Sequence, residues 1–278
     1  MNYTPDEIMV CCISREIQDH DVLIQGISTP LVASGYMLAK KLHAPNSVFG
    51  FAVGNSIVLE PAPLSLRYFE DYSLKKAIHT FSFVEFITQV LSSQERLVEF
   101  FRPAQIDAYG NMNTVVIGNY KRPKIRLPGA AGLPEVTQTY HEYFIYVPRH
   151  DSRVFVKNLD FLSGVGFLSG QNEEERRKLG IKGGGPKRVI TDLGAFGFDD
   201  ETKRMKLLTV HPHSSIEEIL EKTGFELSIK DVRKTKPPTE KELKVLREEV
   251  DPLGLRRLEI IPSSMRASFF MNLLEKDV

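Results

Sequence analysis

The sequence predicts an α/β protein: an open, mostly parallel sheet flanked by helices, with a β-rich segment in the second half of the chain. Three observations carry this. Segments of helical spacing alternate with short apolar runs over the first hundred or so residues, the order that builds βαβ units. From Ala108 to about Gly166 the texture changes to β runs broken by Gly and Pro, as in "NTVVIGNY", "EYFIYVP" and "SRVFVKNLDFL". No internal repeat or long linker interrupts the 278 residues, so a single domain over 1–278 is expected.

The elements follow in order. Thr4-Pro5-Asp6-Glu7 sets a hydroxyl cap, a proline at the first helical position and a glutamate three residues after the cap. This capping box starts a helix over about 5–18, with Ile8, Cys12 and Ile17 on its apolar face. "DVLIQG", Asp21 to Gly26, is a short apolar run closed by glycine, and Pro30 to Leu42 returns to helical spacing. Ser47 to Val53 is a second apolar run, which opens through "FGFAVGN", Phe49 to Asn55, into a tight glycine turn holding no acid, base or nucleophile. Ser82 to Leu91 predicts an amphipathic helix and Glu95 to Phe101 a strand. "QNEEERRKLGIKGGG", Gln171 to Gly185, predicts an exposed excursion or mobile loop. Lys187–Asp192 and Lys206–Val210 predict strands, and helices follow that are capped at Ser215 with Glu218 and at Thr239 with Glu242.

Composition narrows the function. Thirty-six Lys plus Arg balance thirty-six Asp plus Glu, so the overall field steers neither nucleic acid nor an anionic membrane to the protein. No apolar run approaches the ~20 residues that span a bilayer, and the opening stretch is acidic where a secretory leader is basic; a cytoplasmic protein is expected. Cys11 and Cys12 are adjacent, cannot form a disulfide framework, and predict small apolar helix residues with no metal role. Gly183-Gly-Gly185 lacks the Lys-Ser/Thr of a phosphate-binding loop, and His211 with His213 lacks a third ligand, so a loop and a turn are expected there.

The most specific stretch is "PAQIDAYGNMN", Pro103 to Asn113, at the end of the Glu95–Phe101 run. Asp and Asn side chains that bond local backbone, with Gly110 at positive φ, explain a turn. Gln105, Asp107, Asn111 and Asn113 exceed what a turn needs, and strand ends are where open sheets bind ligands.

This stretch resembles the β subunits of family I CoA-transferases, particularly those of the glutaconate CoA-transferase type. Further segments agree in order: "GISTPLVASGYMLAKKLHAPN", "GNYKRPKIRLPGAAG", "RVFV", "VITDLGAFGFD", "EKTGFEL" and "LREEVDP". The resemblance runs from about Glu7 to Pro252 and leaves 253–278 as a possible C-terminal extension.

The resemblance implies an α-type partner, in an αβ or α2β2 hetero-oligomer, and an acyl-CoA substrate, with coenzyme A as part of that thioester and no permanently bound cofactor. In the transferases a β-subunit glutamate attacks the thioester, and a glycine-rich loop donates backbone N–H groups to the oxyanion. That loop corresponds to Gly129, Ala130, Ala131 and Gly132. The glutamate position corresponds to Ala52, which cannot attack a thioester. Glu60 is the nearest carboxylate, and Asn55 and Ser56 lie past the turn. Gly54, Asn55, Gln105, Asn111 and Asn113 are the expected pocket residues. Relatives that also lack the glutamate resemble decarboxylases acting on glutaconyl-CoA-type thioesters and ring-opening hydrolases. The leading expectation is therefore a β subunit acting on an acyl-CoA thioester without a glutamyl-CoA intermediate. A transferase using another glutamate and a non-catalytic scaffold or CoA-binding subunit are the alternatives.

Overall fold

The computed structural model describes residues 2–51, 54–66, 75–91, 95–170 and 173–276. The chain forms two compact units, residues 1–100 with 237–278 and residues 101–236.

The first unit begins with helix α1, Pro5–Glu16, whose capping box forms as expected: Thr4 N donates to Glu7 Oε2 at 2.9 Å. Strand β1, Val22–Gln25, leads to helix α2, Pro30–Leu42, and strand β2, Val48–Phe51. Then come β3, Ser56–Val58, β4, His79–Thr80, helix α3, Phe83–Leu91, and β5, Leu97–Phe101. β5, β1 and β2 run parallel, while β3 and β4 return antiparallel. The α2 residue Tyr36 is fully buried against Phe49 and Phe100, and its hydroxyl donates toward the carbonyls of Ile24 and Val98 at 3.3 and 3.2 Å. At Gly35, a Cβ would stand 2.4 Å from Ile13 Cγ2, so α1 and α2 approach through that glycine. Cys11 is buried and Cys12 half-buried in α1, and burial pushes both thiols up, away from the reactive thiolate.

In the second unit two short antiparallel pairs come first: β6, Gln105–Ile106, with β7, Met112–Asn113, and β8, Val116–Asn119, with β9, Arg122–Arg126. Helix α4, Leu133–Thr139, precedes β10, Tyr143–Val147, every residue of which is buried. Helix α5, Glu173–Lys178, precedes β11, Pro186–Thr191, β12, Gly194–Phe198, and β13, Met205–Val210. Helix α6, Ile216–Glu221, and β14, Arg233–Lys234, complete the unit. β10 and β11 are parallel, β12 runs antiparallel to both neighbours, and β14 is parallel to β13. Tyr143, Ile145, Val189, Phe196 and Leu207 form the centre of its core.

Two expectations are corrected here. "SRVFVKNLDFL" forms no strand; Phe155 makes a single bridge to Ile106, because Val154 and Phe155 both turn their N–H groups onto Asp151 O at 2.9 Å. The described part of 171–185 is largely exposed, as expected, but it is not a loop throughout. It holds α5, and the glycine run packs closely: Gly183 N donates to Gln138 O at 2.7 Å and Gly184 N to Tyr140 O at 3.1 Å. A Cβ at Gly183 or Gly184 would meet the carbonyl oxygens of Tyr140 or His141 at 2.6 and 2.0 Å. Glycine serves close backbone approach there.

The segment from 253 packs into the first unit through Leu255, Arg256, Glu259 and Leu273, while most of 262–276 is exposed. After helix α7, Glu240–Val245, a 3-10 turn over Leu255–Glu259 precedes helix α8, Ser263–Lys276. Buried Arg256 bonds Asp6 at 2.7 Å, Asp251 at 2.9 Å and Glu7 at 3.1 Å. Glu259 Oε1 accepts from Leu31 N at 2.9 Å and so caps the first turn of α2, where a carboxylate is favoured.

Candidate functional site

In the first unit the carboxyl ends of β1 and β2 lie side by side, with Gln25 in register with Phe51 and Phe51 in register with Ser56. Ala52 and Val53, which follow β2, lie outside the described residues. Gly54 and Asn55 form the half-buried turn into β3. Asn55 takes the left-handed conformation, φ +43, which asparagine tolerates better than most residues. Its carbonyl accepts from Phe81 N at 2.8 Å, which ties the turn down. Glu60 is 78% exposed, and its Oε1 lies 3.7 Å from Lys40 Nζ. Gln25, which the sequence pattern did not single out, is 2% exposed at the end of β1, and among the described residues its Oε1 has no hydrogen-bond partner. An amide ending an apolar strand is the one signal that marks it.

The Gln105 to Asn113 stretch is a hydrogen-bonded framework. Asn113 Nδ2 donates to Gln105 Oε1 at 2.7 Å and to Val116 O at 2.6 Å, while its Oδ1 accepts from Val115 N and Val116 N. Gln105 Nε2 donates to Asp160 Oδ2 at 2.9 Å, and the same oxygen accepts from Gly118 N. Asp107 accepts from the backbone of Tyr109 and Asn111 and from Asn111 Nδ2. Asn111 bridges onward, donating to Leu168 O at 2.8 Å and accepting from Gly166 N at 2.9 Å. Burial raises the Asp107 carboxyl above its ordinary range against these bonds. Gln105, Asn111 and Asn113 are all buried, and the described wall of the adjoining 800 Å³ cavity holds Asp107, Tyr109, Lys157 and Arg204 instead. The structure thus ties Gln105 to Asn113 and Asp107 to Asn111. It spends their polar groups on fixing 104–118 against 160–168.

That framework sets the start of the next loop, since Gly129 N donates to Thr114 O at 3.2 Å. Gly129 has φ +116 and Ala131 φ +44, so the loop adopts two left-handed residues, one of them at an alanine. Ala130 O accepts from Leu133 N, closing the loop onto α4. Among the described residues, the N–H groups of Ala130, Ala131 and Gly132 donate to no protein acceptor. A Cβ built at Gly129 or Gly132 meets nothing within 4 Å, so open space surrounds both. Free amides beside open space can receive an oxyanion.

The histidines have structural partners. His211 is buried between Thr235 Oγ1 at 2.8 Å and Thr191 O at 2.9 Å, and burial lowers it to about 4. His213 Nε2 sits 2.8 Å from Asp192 O. Among the described residues no group of three His, Cys, Asp or Glu could hold a metal ion. No helix among them is long and apolar enough to cross a membrane.

An open α/β fold with free loop amides after a polar strand-end framework suits acyl-group chemistry. A family model described as coenzyme A transferase matches residues 7–222. The β-type subunit of glutaconate CoA-transferase from Acidaminococcus fermentans is 34% identical over 260 residues, which is 90% of this chain and 94% of that one. The crystal structure of glutaconate coenzyme A-transferase from that organism superposes with a TM-score of 0.82 at 30% identity, covering 94% of this chain and 99% of that chain. The chain belongs to the coenzyme A transferase family. The decarboxylase AibA/AibB shares the fold, with a TM-score of 0.79 at 24% identity over 92% of this chain and 98% of that one. The cholesterol ring-cleaving hydrolase IpdB subunit of Rhodococcus jostii is 32% identical over 157 residues, 56% of this chain and 60% of that one.

Proposed function

We propose that this chain is the β-type subunit of a heteromeric enzyme that acts on an acyl-CoA thioester without a glutamyl-CoA intermediate. Ala52 carries the reading: alanine stands where the family resemblance places the attacking glutamate. The one carboxylate nearby in sequence, Glu60, is exposed and directed at Lys40, which supports it. The thioester oxygen is received by the amides of Ala130, Ala131 and Gly132, each fixed donor stabilising a developing oxyanion by about 3 to 4 kcal/mol. Gln105, Asn111 and Asn113 shape the site from behind, by holding the backbone that positions this loop. The group that acts on the acyl chain comes from an α-type partner subunit, as the relatives' names pair AibB with AibA and IpdB with IpdA.

Transfer is the second reading, favoured by the 34% identity to a transferase subunit. The two separate in one assay. The chain co-expressed with its α-type subunit is given an acyl-CoA and a labelled carboxylic acid. A transferase moves coenzyme A onto the labelled acid at a rate set by that acid. The proposed enzyme consumes the thioester whether or not the acid is present and forms no labelled thioester.

A further inference from the structure

A cavity of 450 Å³ opens in the second unit between helix α5, the 181–184 segment and Lys203, a size ordinary for a small-molecule site. Every charged residue of its described wall is basic: Arg176, Arg177, Lys182 and Lys203. The chain as a whole balances thirty-six bases with thirty-six acids, so this is a local segregation of charge. Cations gathered round one cavity repel one another, and an anion placed among them is attracted by all. Three acids near these bases in sequence have other partners: Glu174 Oε1 pairs with Lys178 at 3.0 Å, Glu175 Oε2 accepts from Ser169 Oγ at 2.6 Å, and Asp199 Oδ1 accepts from Thr202 N at 2.9 Å. Among the described residues no carboxylate lies within ion-pair distance of Lys182 or Lys203.

The wall is held in place before any ligand arrives. Arg176 is buried, and its guanidinium donates to Gly166 O and Gly183 O, which joins α5 to the glycine run. It also lies 5.5 Å from the centre of the Phe167 ring, and Lys203 Nζ lies 5.7 Å from that same centre. The ring thus keeps the Lys203 ammonium at the wall. A cation already ordered costs a ligand less to engage than one that must be ordered on binding.

Charge and size together select the ligand. A carboxylate brings one charge, whereas a phosphate ester brings nearly two and three acceptor oxygens, enough for two ammonium groups. The cavity is larger than a phosphate group alone requires, so it takes the organic part of the ester as well. It also shares a unit with the 130–132 amides. Gly132 caps the start of α4, and beyond the far end of that helix Gln138 O and Tyr140 O accept from Gly183 N and Gly184 N. The helix has 7 residues, so about 10 Å lies between loop and cavity.

We propose that this cavity binds a phosphate ester of nucleotide size, with Lys182 and Lys203 contacting its phosphate groups. Two sources carry that chemistry: the nucleotide end of a coenzyme A thioester, which rests on the acyl-CoA reading, and a free nucleotide, which does not.

The test is calorimetric titration, at low ionic strength, of the complex of this chain with its α-type subunit, using adenosine 3′,5′-bisphosphate and ATP, each with and without saturating coenzyme A. Lys182→Gln combined with Lys203→Gln weakens binding about 10-fold or more, the loss of charge-assisted hydrogen bonds. Lys121→Gln combined with Lys124→Gln removes two exposed charges from the β8–β9 hairpin of the same unit and leaves binding unchanged. Competition by coenzyme A identifies the coenzyme's own nucleotide end as the ligand, and simultaneous binding identifies a free nucleotide. No binding of either probe, or a loss no larger in the Lys182 and Lys203 variant than in the Lys121 and Lys124 variant, overturns the proposal. A probe held by Lys182 and Lys203 in a complex that binds no acyl-CoA leaves the site standing and overturns the acyl-CoA reading instead.

Discussion

Replacing Asn113 with alanine separates a framework role from a ligand-binding one. The side chain is fully buried and makes four hydrogen bonds, two donated by Nδ2 and two accepted by Oδ1. Gln105 Oε1 keeps a second donor in Asp160 N at 3.0 Å, so it is not orphaned. Val116 O and the amides of Val115 and Val116 each lose this partner. At about 1 kcal/mol or more per buried polar group left unmade, Asn113→Ala costs roughly 3 kcal/mol of stability. Urea denaturation of the variant and parent measures this directly as a lower midpoint at unchanged slope. Thioester affinity of the folded fraction changes little, because Asn113 faces protein and not ligand. A variant as stable as the parent that has lost thioester binding would refute the framework reading and return Asn113 to the pocket wall.

Three further outcomes follow from the same structure. Ala131→Gly relieves an alanine at φ +44 and keeps the amide, raising stability by about 1 kcal/mol with turnover unchanged; a urea midpoint at or below the parent's would contradict the strain at this position. Asp192 is raised by burial from the ordinary 3.8 to about 6 although its carboxylate accepts from His150 N at 2.7 Å. A raised carboxyl disfavours the folded state once it ionises, so this cost is absent below about pH 4, grows as pH rises to 6 and is complete above it. Asp192→Asn, which retains an acceptor, therefore stabilises the protein by up to about 3 kcal/mol at pH 8 and by progressively less toward pH 4; thermal melts at both ends check the sign, and a pH-independent gain would contradict it. Arg256→Ala leaves Asp6 and Asp251 buried without their shared cation and costs about 3 to 5 kcal/mol; a neutral result would show that the Arg256 ion cluster contributes nothing net to the first unit.

Much of the fold was legible because local signals and burial agreed. The Thr4 capping box, the Pro30 start of α2 and the apolar runs at β1, β2 and β5 each specify their element without distant help. β12 escaped because Gly194 and Gly197 dilute its apolar pattern, and at Gly194 a Cβ would meet Thr209 O at 2.4 Å on the next strand. The C-terminal helix α8 has a weakly segregated surface, with Leu273 its one buried residue, so periodicity did not mark it. At the candidate site, the sequence pointed to the Gln105–Asn113 cluster and to the 129–132 loop. It could not tell side chains that build a loop from those that line it, since both need the same amides. Gln25 was missed for a related reason. A single glutamine at a strand end becomes informative only when its Nε2 partners are known and its oxygen is seen to have none among the described residues.

The absence of a glutamyl-CoA intermediate is tested most directly by borohydride trapping. The complex with its α-type subunit is turned over with an acyl-CoA in the presence of borohydride, and peptides of this chain are analysed by mass spectrometry, with Ala52→Glu as the control that restores a carboxylate. The wild-type chain is expected to carry no reduced glutamyl residue at any position, Glu60 included. A reduced glutamate on the wild-type chain, formed only when acyl-CoA is present, would show that a displaced carboxylate has taken over the attack and would contradict the proposed function.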